Sequence, residues 1–234
     1  MVNRIRKTKH KCRQAFTLVE LIVILVVLAI IAAITVPALT GYINKAKKQK
    51  YMTNAHYAYV ASQAVMTELY GLGKGYKASY SDKDNNKNNV NWVNGDNKKW
   101  GDKVLSLMDC KRGENDPYIL IFGVGNADKI CGLTTAQQNT VYYIAYVEDE
   151  KSPAIFYVNG EWMYRYPKSD DGPIVEHRYE KNGYNYRNTI KVDDSTFISL
   201  QFYIVSNRTG LDPKDAKFWT DTKEPKSLKS HCVE

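Results

Sequence analysis

Residues 13–25 read RQAFTLVELIVIL, and the interpretation of this stretch decides how the remainder of the chain is read. It opens an apolar run from Phe16 to Val36, 21 residues in which only Thr17, Glu20 and Thr35 are polar. As a helix the run is about 30 Å long, enough to cross the hydrocarbon core of a bilayer. A helix apolar on every face does not suit the surface of a small soluble domain, so the run is expected to span a membrane. Glu20 inside it costs roughly 2–3 kcal/mol at insertion. The carboxylate therefore needs a partner or a function, unless it lies shallow enough to reach the interface.

The flanks set the orientation. Residues 1–15 contain Arg4, Arg6, Lys7, Lys9, Lys11 and Arg13 and no acid, which keeps that end in the cytoplasm and sends the chain after the helix outward. Lys45, Lys47, Lys48 and Lys50 argue the other way, but they follow the first span and are fewer. The formal charge of the chain is +8, and six of those charges belong to the leader, leaving +2. The basicity is thus a topology signal and no pointer to nucleic acid.

A basic leader before an apolar run is the layout of a secretory signal, for which Ile31-Ala32-Ala33 offers an ordinary cleavage site. A carboxylate in the apolar region is foreign to that layout. Instead, the leader, the small Ala15, the run Phe16-Thr17-Leu18-Val19-Glu20 and the apolar residues after it resemble the N-terminus of type IV pilins and pseudopilins. The resemblance covers residues 1 to about 50 and includes Pro37 near the end of the span. Ala15 stands where the family usually has glycine; alanine is also small.

The resemblance implies that a prepilin peptidase cuts between Ala15 and Phe16 and methylates the new Phe16 amine. It implies that Glu20 meets the amine of a neighbouring subunit as helices stack, and that Pro37 marks a stretch able to extend. Read from the residues alone, Pro37 loosens the helix or, with Gly41 close behind, ends it. The implied protein is a structural subunit of a type IV pilus. It begins as a single-pass protein of the inner or cytoplasmic membrane with its head outside, and then joins an extracellular pilus for adhesion, motility or aggregation. A pseudopilin of a secretion or DNA-uptake machine, or a tethered extracellular binding protein, is the alternative. The implied partners are other pilin subunits, the peptidase and the assembly machinery in the membrane; no cofactor is implied.

Tyr51, Ala55, Ala58, Ser62, Val65 and Leu69 recur at spacings of three and four, which predicts an amphipathic continuation of the helix over 38–70. Gly71, Gly73 and Gly75 end it. Residues 71–101 are dense in Asn, Gly and Lys and read as a polar surface loop. Asp82, Asp84, Asn86 and Asn88 alternate as in a calcium loop, but Lys87 and Val93 stand where that loop needs Gly and Glu.

Residues 102–234 read as a β-rich head. An amphipathic piece at 102–110 precedes strands at 117–123, 140–147, 154–158, 161–166, 174–180, 184–192 and 196–205, the last also compatible with a helix. Asn159-Gly160 and Asn182-Gly183 mark hairpin turns. Asp212-Pro213 is placed to open a last short helix. A long helix followed by a mainly antiparallel sheet is an α+β order.

Cys12 leaves with the leader, while Cys110, Cys131 and Cys232 are exported, where disulfides persist. Cys110–Cys131 would close a loop of about 22 residues, worth roughly 3 kcal/mol. Cys232 is then free or pairs between chains. Zinc on Cys110, Cys131 and Cys232 with His231 or His177 is the alternative, without any closely spaced ligand pair in its favour. No nucleophile elbow, phosphate-binding loop or zinc-protease motif occurs, so nothing prefers an enzyme. Glu148, Asp149 and Glu150 read as a solvated turn. Trp162, Tyr164 and Tyr166 alternate, either as a stacking platform for sugars or bases or as the packed face of a sheet.

Overall fold

The computed structural model describes residues 16–73, 90–92, 98–127, 132–167, 179–181, 184–186, 189–192, 197–213, 216–220 and 227–232. The chain divides into two compact units, Met1–Lys48 and Gln49–Glu234. Helix α1 covers Leu18–Gly71 and contributes to both.

In the first unit the helix runs through Pro37 and Gly41 without ending. Pro37 lacks the N–H that would bond the Ala33 carbonyl, a local loss that the turns on either side outweigh. Thr35 and Thr40 donate their hydroxyls back to the carbonyls of Ile31 and Val36, each at 2.9 Å, and so hide their polar groups within the helix. The reading of Pro37 and Gly41 as a helix end is thereby set aside.

The second unit is built on a seven-stranded sheet among the described residues. Strands β2 (Ile119–Gly125), β3 (Val141–Val147), β4 (Ile155–Val158) and β5 (Glu161–Met163) form an antiparallel meander. Strand β9 (Phe197–Asn207) returns antiparallel beside β2. The outer edge of β9 is shared: β8 (Thr189–Lys191) pairs antiparallel with its start and β1 (Val90–Trp92) parallel with Phe202–Ile204. Strands β6 (Tyr179–Lys181) and β7 (Tyr184–Tyr186) pair separately. The fold is α+β, and of the stretch 196–205 the described residues 197–205 are strand. Residues 90–92 of the stretch read as a polar loop form β1, and α2 (Lys98–Leu107) begins before the expected amphipathic piece.

Every residue of β2 and β3 is buried, so both strands read as continuous apolar runs instead of alternating ones. The reason is that both sheet faces are covered. On one face Ala55, Ala58, Ala61, Val65, Met66 and Leu69 of α1 meet Leu120, Phe122, Ile144 and Tyr203. These are the predicted stripe and its neighbours. The alanines let the helix approach closely, and each of Val65, Met66 and Leu69 contributes about 1.5–3 kcal/mol by leaving water. On the other face Ile121, Tyr143, Phe156 and Phe202 pack under Phe218 and Trp219 of α4 (Ala216–Thr220) and under Leu228. Asp212 and Pro213 precede α4, and Trp219 Nε1 donates to the Pro213 carbonyl at 2.7 Å.

Two bulges shape the sheet. Pairing of β2 with β3 steps from Gly123–Tyr143 to Val124–Val141, so Tyr142 is extra and joins Tyr143 on one face. The Val141 N–H instead donates to Gln63 Oε1 at 2.8 Å, while Gln63 Nε2 donates to the Asn139 carbonyl at 3.0 Å. Pairing of β2 with β9 skips Val205, whose carbonyl accepts from Arg112, itself bonded to Asp102 at 2.7 Å. A helix side chain and a loop side chain thus satisfy what the ladder leaves open.

Of the acidic trio, Asp149 and Glu150 are exposed, but Glu148 is docked on α1. Its carboxylate accepts from the Lys50 ammonium and from Asn54 Nδ2, the latter at 2.7 Å. The Lys50 ammonium is held above its ordinary pKa by that hydrogen bond.

Candidate functional site

The N-terminus of α1 is built by a local rule. Thr17 precedes the first helical residue, and Glu20 occupies the third position of the first turn. Glu20 Oε2 accepts from the Thr17 N–H at 2.8 Å and from its hydroxyl at 2.7 Å, while the Glu20 N–H donates to Thr17 Oγ1 at 3.2 Å. This is a capping box: two backbone donors that open every helix are satisfied reciprocally. The carboxylate placed in an apolar run therefore has a partner in its own chain. Its other oxygen, Oε1, has none among the described residues. The pattern Thr17-x-x-Glu20 is a recognisable sequence signature of this box, and sequence reasoning that looked only for a distant partner passed over it.

Apart from Thr17 and Glu20 the start of the helix is apolar. Phe16 and Leu18 are each 75% exposed, and every residue from 16 to 50 is exposed. The helix is long and apolar enough to cross a membrane, and it fits a single-pass anchor near the N-terminus. Ala15 lies outside the described residues, so of the expected cleavage pair only Phe16 is placed, at the exposed start of the segment. Pro37 sits inside the helix.

The two described cysteines, Cys110 and Cys232, do not converge. Cys110 packs with the cluster between helix and sheet, and Cys232 with the cluster on the opposite face. Both are free thiols here, and Cys131 lies outside the described residues, as do His177 and the calcium-like stretch 82–88. Burial raises both thiol pKa values, that of Cys232 to about 12. Among the described residues no group of three His, Cys, Asp or Glu side chains could hold a metal.

His231 lies against the Tyr118 ring, 5.6 Å between centroids, with Nδ1 at 3.2 Å from the Ser152 carbonyl. Burial lowers its pKa from 6.5, against the Ser152 contact and the charges of Glu150 and Asp149, which raise it. A base with a lowered folded-state pKa stabilises fully above its unfolded value and loses that contribution as pH falls through the folded one. Stability of the chain in detergent is expected to fall as pH drops below about 6.5. His231→Asn, which keeps a donor for Ser152 but does not titrate, should flatten that part of the thermal-unfolding profile. An unchanged profile would remove His231 as the cause.

Trp162, Tyr164 and Tyr166 do not share a face. Trp162 stacks on His56 at 4.1 Å and packs with Tyr59 and Tyr157, and Tyr164 joins that cluster. Strand β5 ends at Met163, and Tyr166 turns to the other cluster, edge-on to Phe156 at 5.7 Å. The rings serve packing.

Residues 10–36 match the family model of the prokaryotic N-terminal methylation motif. The matched span takes in the end of the leader, Ala15, Phe16, Glu20 and the apolar run. Neither curated proteins nor solved structures gave a match to the chain.

Proposed function

We propose that this chain, type IV pilin-like by its N-terminal methylation motif, is a structural subunit of a type IV pilus. It is made with a leader, anchored by α1, cut between Ala15 and Phe16 by a prepilin peptidase, and methylated on the Phe16 amine. It then leaves the membrane for a filament whose core is α1 and whose surface is the head. The observation that carries this reading is the start of α1. Glu20 is anchored by Thr17 through one oxygen, while the other has no hydrogen bond among the described residues, on a helix segment whose apolar side chains are all exposed.

In a filament, the free oxygen of Glu20 receives the Phe16 amine of a neighbouring subunit. A charge pair in an apolar bundle selects one register, because any other leaves both charges unpaired in a low-dielectric surrounding. Before assembly the capping box keeps the carboxylate satisfied. Hydrolysis at Ala15 is what creates the amine, so the pair cannot form on the uncut chain.

Shearing filaments from cells that make the protein and determining its N-terminus by mass spectrometry tests the proposal. The expected result is a methylated Phe16 in the sheared fraction. A methylated Phe16 confined to the envelope would place the subunit in a pseudopilus. An N-terminus near Ile34, or an intact leader, would overturn the assignment.

A further inference from the structure

The segment Ser227–Cys232 lies over the sheet face opposite α1, as a strap. Two backbone hydrogen bonds tie it to neighbouring elements. The Leu228 N–H donates to the Phe218 carbonyl of α4 at 2.7 Å, and the Ala154 N–H, just before β4, donates to the His231 carbonyl at 2.8 Å. Leu228 is fully buried in the apolar cluster that includes Phe218 and Trp219, and Cys232 packs against the same cluster. Between them a short 3-10 turn, Lys229–His231, leaves Lys229 and Ser230 exposed and His231 buried.

His231 is only 8% exposed. Its Nδ1 faces the Ser152 carbonyl at 3.2 Å; a carbonyl only accepts, so Nδ1 carries the proton and Nε2 of the neutral ring carries none. Nε2 is buried and has no hydrogen-bond partner among the described residues. Protonation would turn it into a buried donor with nothing to receive it, on a ring that also gains a charge. The groups around the ring do not remove that cost. Tyr118 meets it edge-on, and the Arg208 guanidinium lies 6.0 Å from the centroid of that tyrosine. Asp149 and Glu150, in the turn after β3, favour the charged ring, but both are exposed and so act through solvent. Lys151 is exposed in the same turn, and the Lys229 ammonium stands 5.7 Å over the Tyr166 ring. Opening the segment gives up local contacts and delivers the imidazolium to water.

We propose that Ser227–Cys232 is a pH-sensitive strap: protonation of His231 releases it from the sheet while the rest of the head stays folded, and Cys232 becomes accessible. The inference is independent of what the subunit assembles into. An imidazole that titrates near 6.5 in the open segment and lower in the closed one adds nothing well above pH 6.5. One unit below that value it favours opening by at most about tenfold.

The test treats the full chain in detergent with dithiodipyridine, a reagent that attacks thiols at mildly acidic pH, and identifies the labelled peptides by mass spectrometry. Rates are divided by that of glutathione at the same pH. Protection of Cys232 is expected to fall several-fold between about pH 7.5 and about pH 5.5, with about tenfold as the ceiling. Cys110, in the cluster on the other face, should keep its protection. In H231N the corrected Cys232 rate should no longer depend on pH. Absence of pH dependence in the wild type, or the same dependence in H231N, overturns the strap. So does a parallel loss at Cys110, which marks loosening of the whole head. Hydrogen exchange of the wild-type chain tests the proposal without a variant. Corrected for intrinsic rates, Ala154, whose N–H bonds the His231 carbonyl, should lose protection at the lower pH while β3 keeps it. Equal protection of Ala154 at both pH values also overturns the strap.

Discussion

Glu20→Gln is expected to leave export and membrane insertion intact and to reduce recovery of the subunit in sheared filaments by on the order of tenfold or more. The substitution separates the cap that Glu20 forms with Thr17 from the intersubunit pair proposed for it. Gln is accepted at the third position of a capping box, so the bonds to the Thr17 N–H and hydroxyl can persist and the helix start is kept. The charge is removed, and a neighbouring Phe16 amine would be left without a partner in an apolar bundle. Leaving one member of a buried pair uncompensated costs about 3–5 kcal/mol, and even part of that exceeds the 1.4 kcal/mol of a tenfold change. Thr17→Ala is the complementary variant. It removes the hydroxyl of the cap, worth roughly 1 kcal/mol of helix stability, without touching the charge. If filaments form normally from Glu20→Gln but fail from Thr17→Ala, the carboxylate acts as a cap alone and the intersubunit pair is wrong.

The second large effect is expected in the head. Gly123 lies in β2 between Tyr143 of β3 and Phe202 of β9, whose rings meet edge to face at 5.2 Å. A Cβ at Gly123 would stand 2.9 Å from Phe202 Cε1 and 3.1 Å from Tyr143 Cβ. Tyr143 and Phe202 are fully buried and held by the cluster around Phe156 and Trp219, so neither ring can swing aside freely. Gly123→Val should therefore destabilise by about 2–3 kcal/mol, in spite of the better strand propensity of valine. For a chain of this size that lowers Tm by roughly 4–12 °C. Gly71→Ala, whose methyl meets nothing within 4 Å, is the control and should shift Tm little. Thermal unfolding of both variants in the same detergent checks the prediction; equal Tm values would show that the aromatic pair yields more readily than its burial implies.

The N-terminal third of the chain was legible because its constraints are local or come from the solvent. A bilayer demands a run of apolar residues of fixed length, so 16–36 announces a span before any tertiary contact is known. Charge in residues 1–15 gives the direction expected of it, and the spacing of Tyr51, Ala55, Ala58, Ser62, Val65 and Leu69 marks the face that the sheet covers. Asn159-Gly160 likewise encodes its hairpin, with Asn159 at φ 42° and Gly160 at φ 102°, conformations that this dipeptide accepts at little cost.

Pairings between distant residues were decided only by the tertiary structure. Nothing in residues 197–207 states that β9 inserts beside β2, or that its far edge takes β8 antiparallel and β1 parallel. Glu148 reads as one of three solvated acids until α1 brings Lys50 and Asn54 to it from 98 and 94 residues away. Cys110 and Cys232 are equivalent thiols in the sequence, and the sheet puts them on opposite sides. Side-chain periodicity reports which face a residue takes within its own element. Which element meets that face depends on loop closure and on the burial of both faces together, and these are properties of the folded chain as a whole.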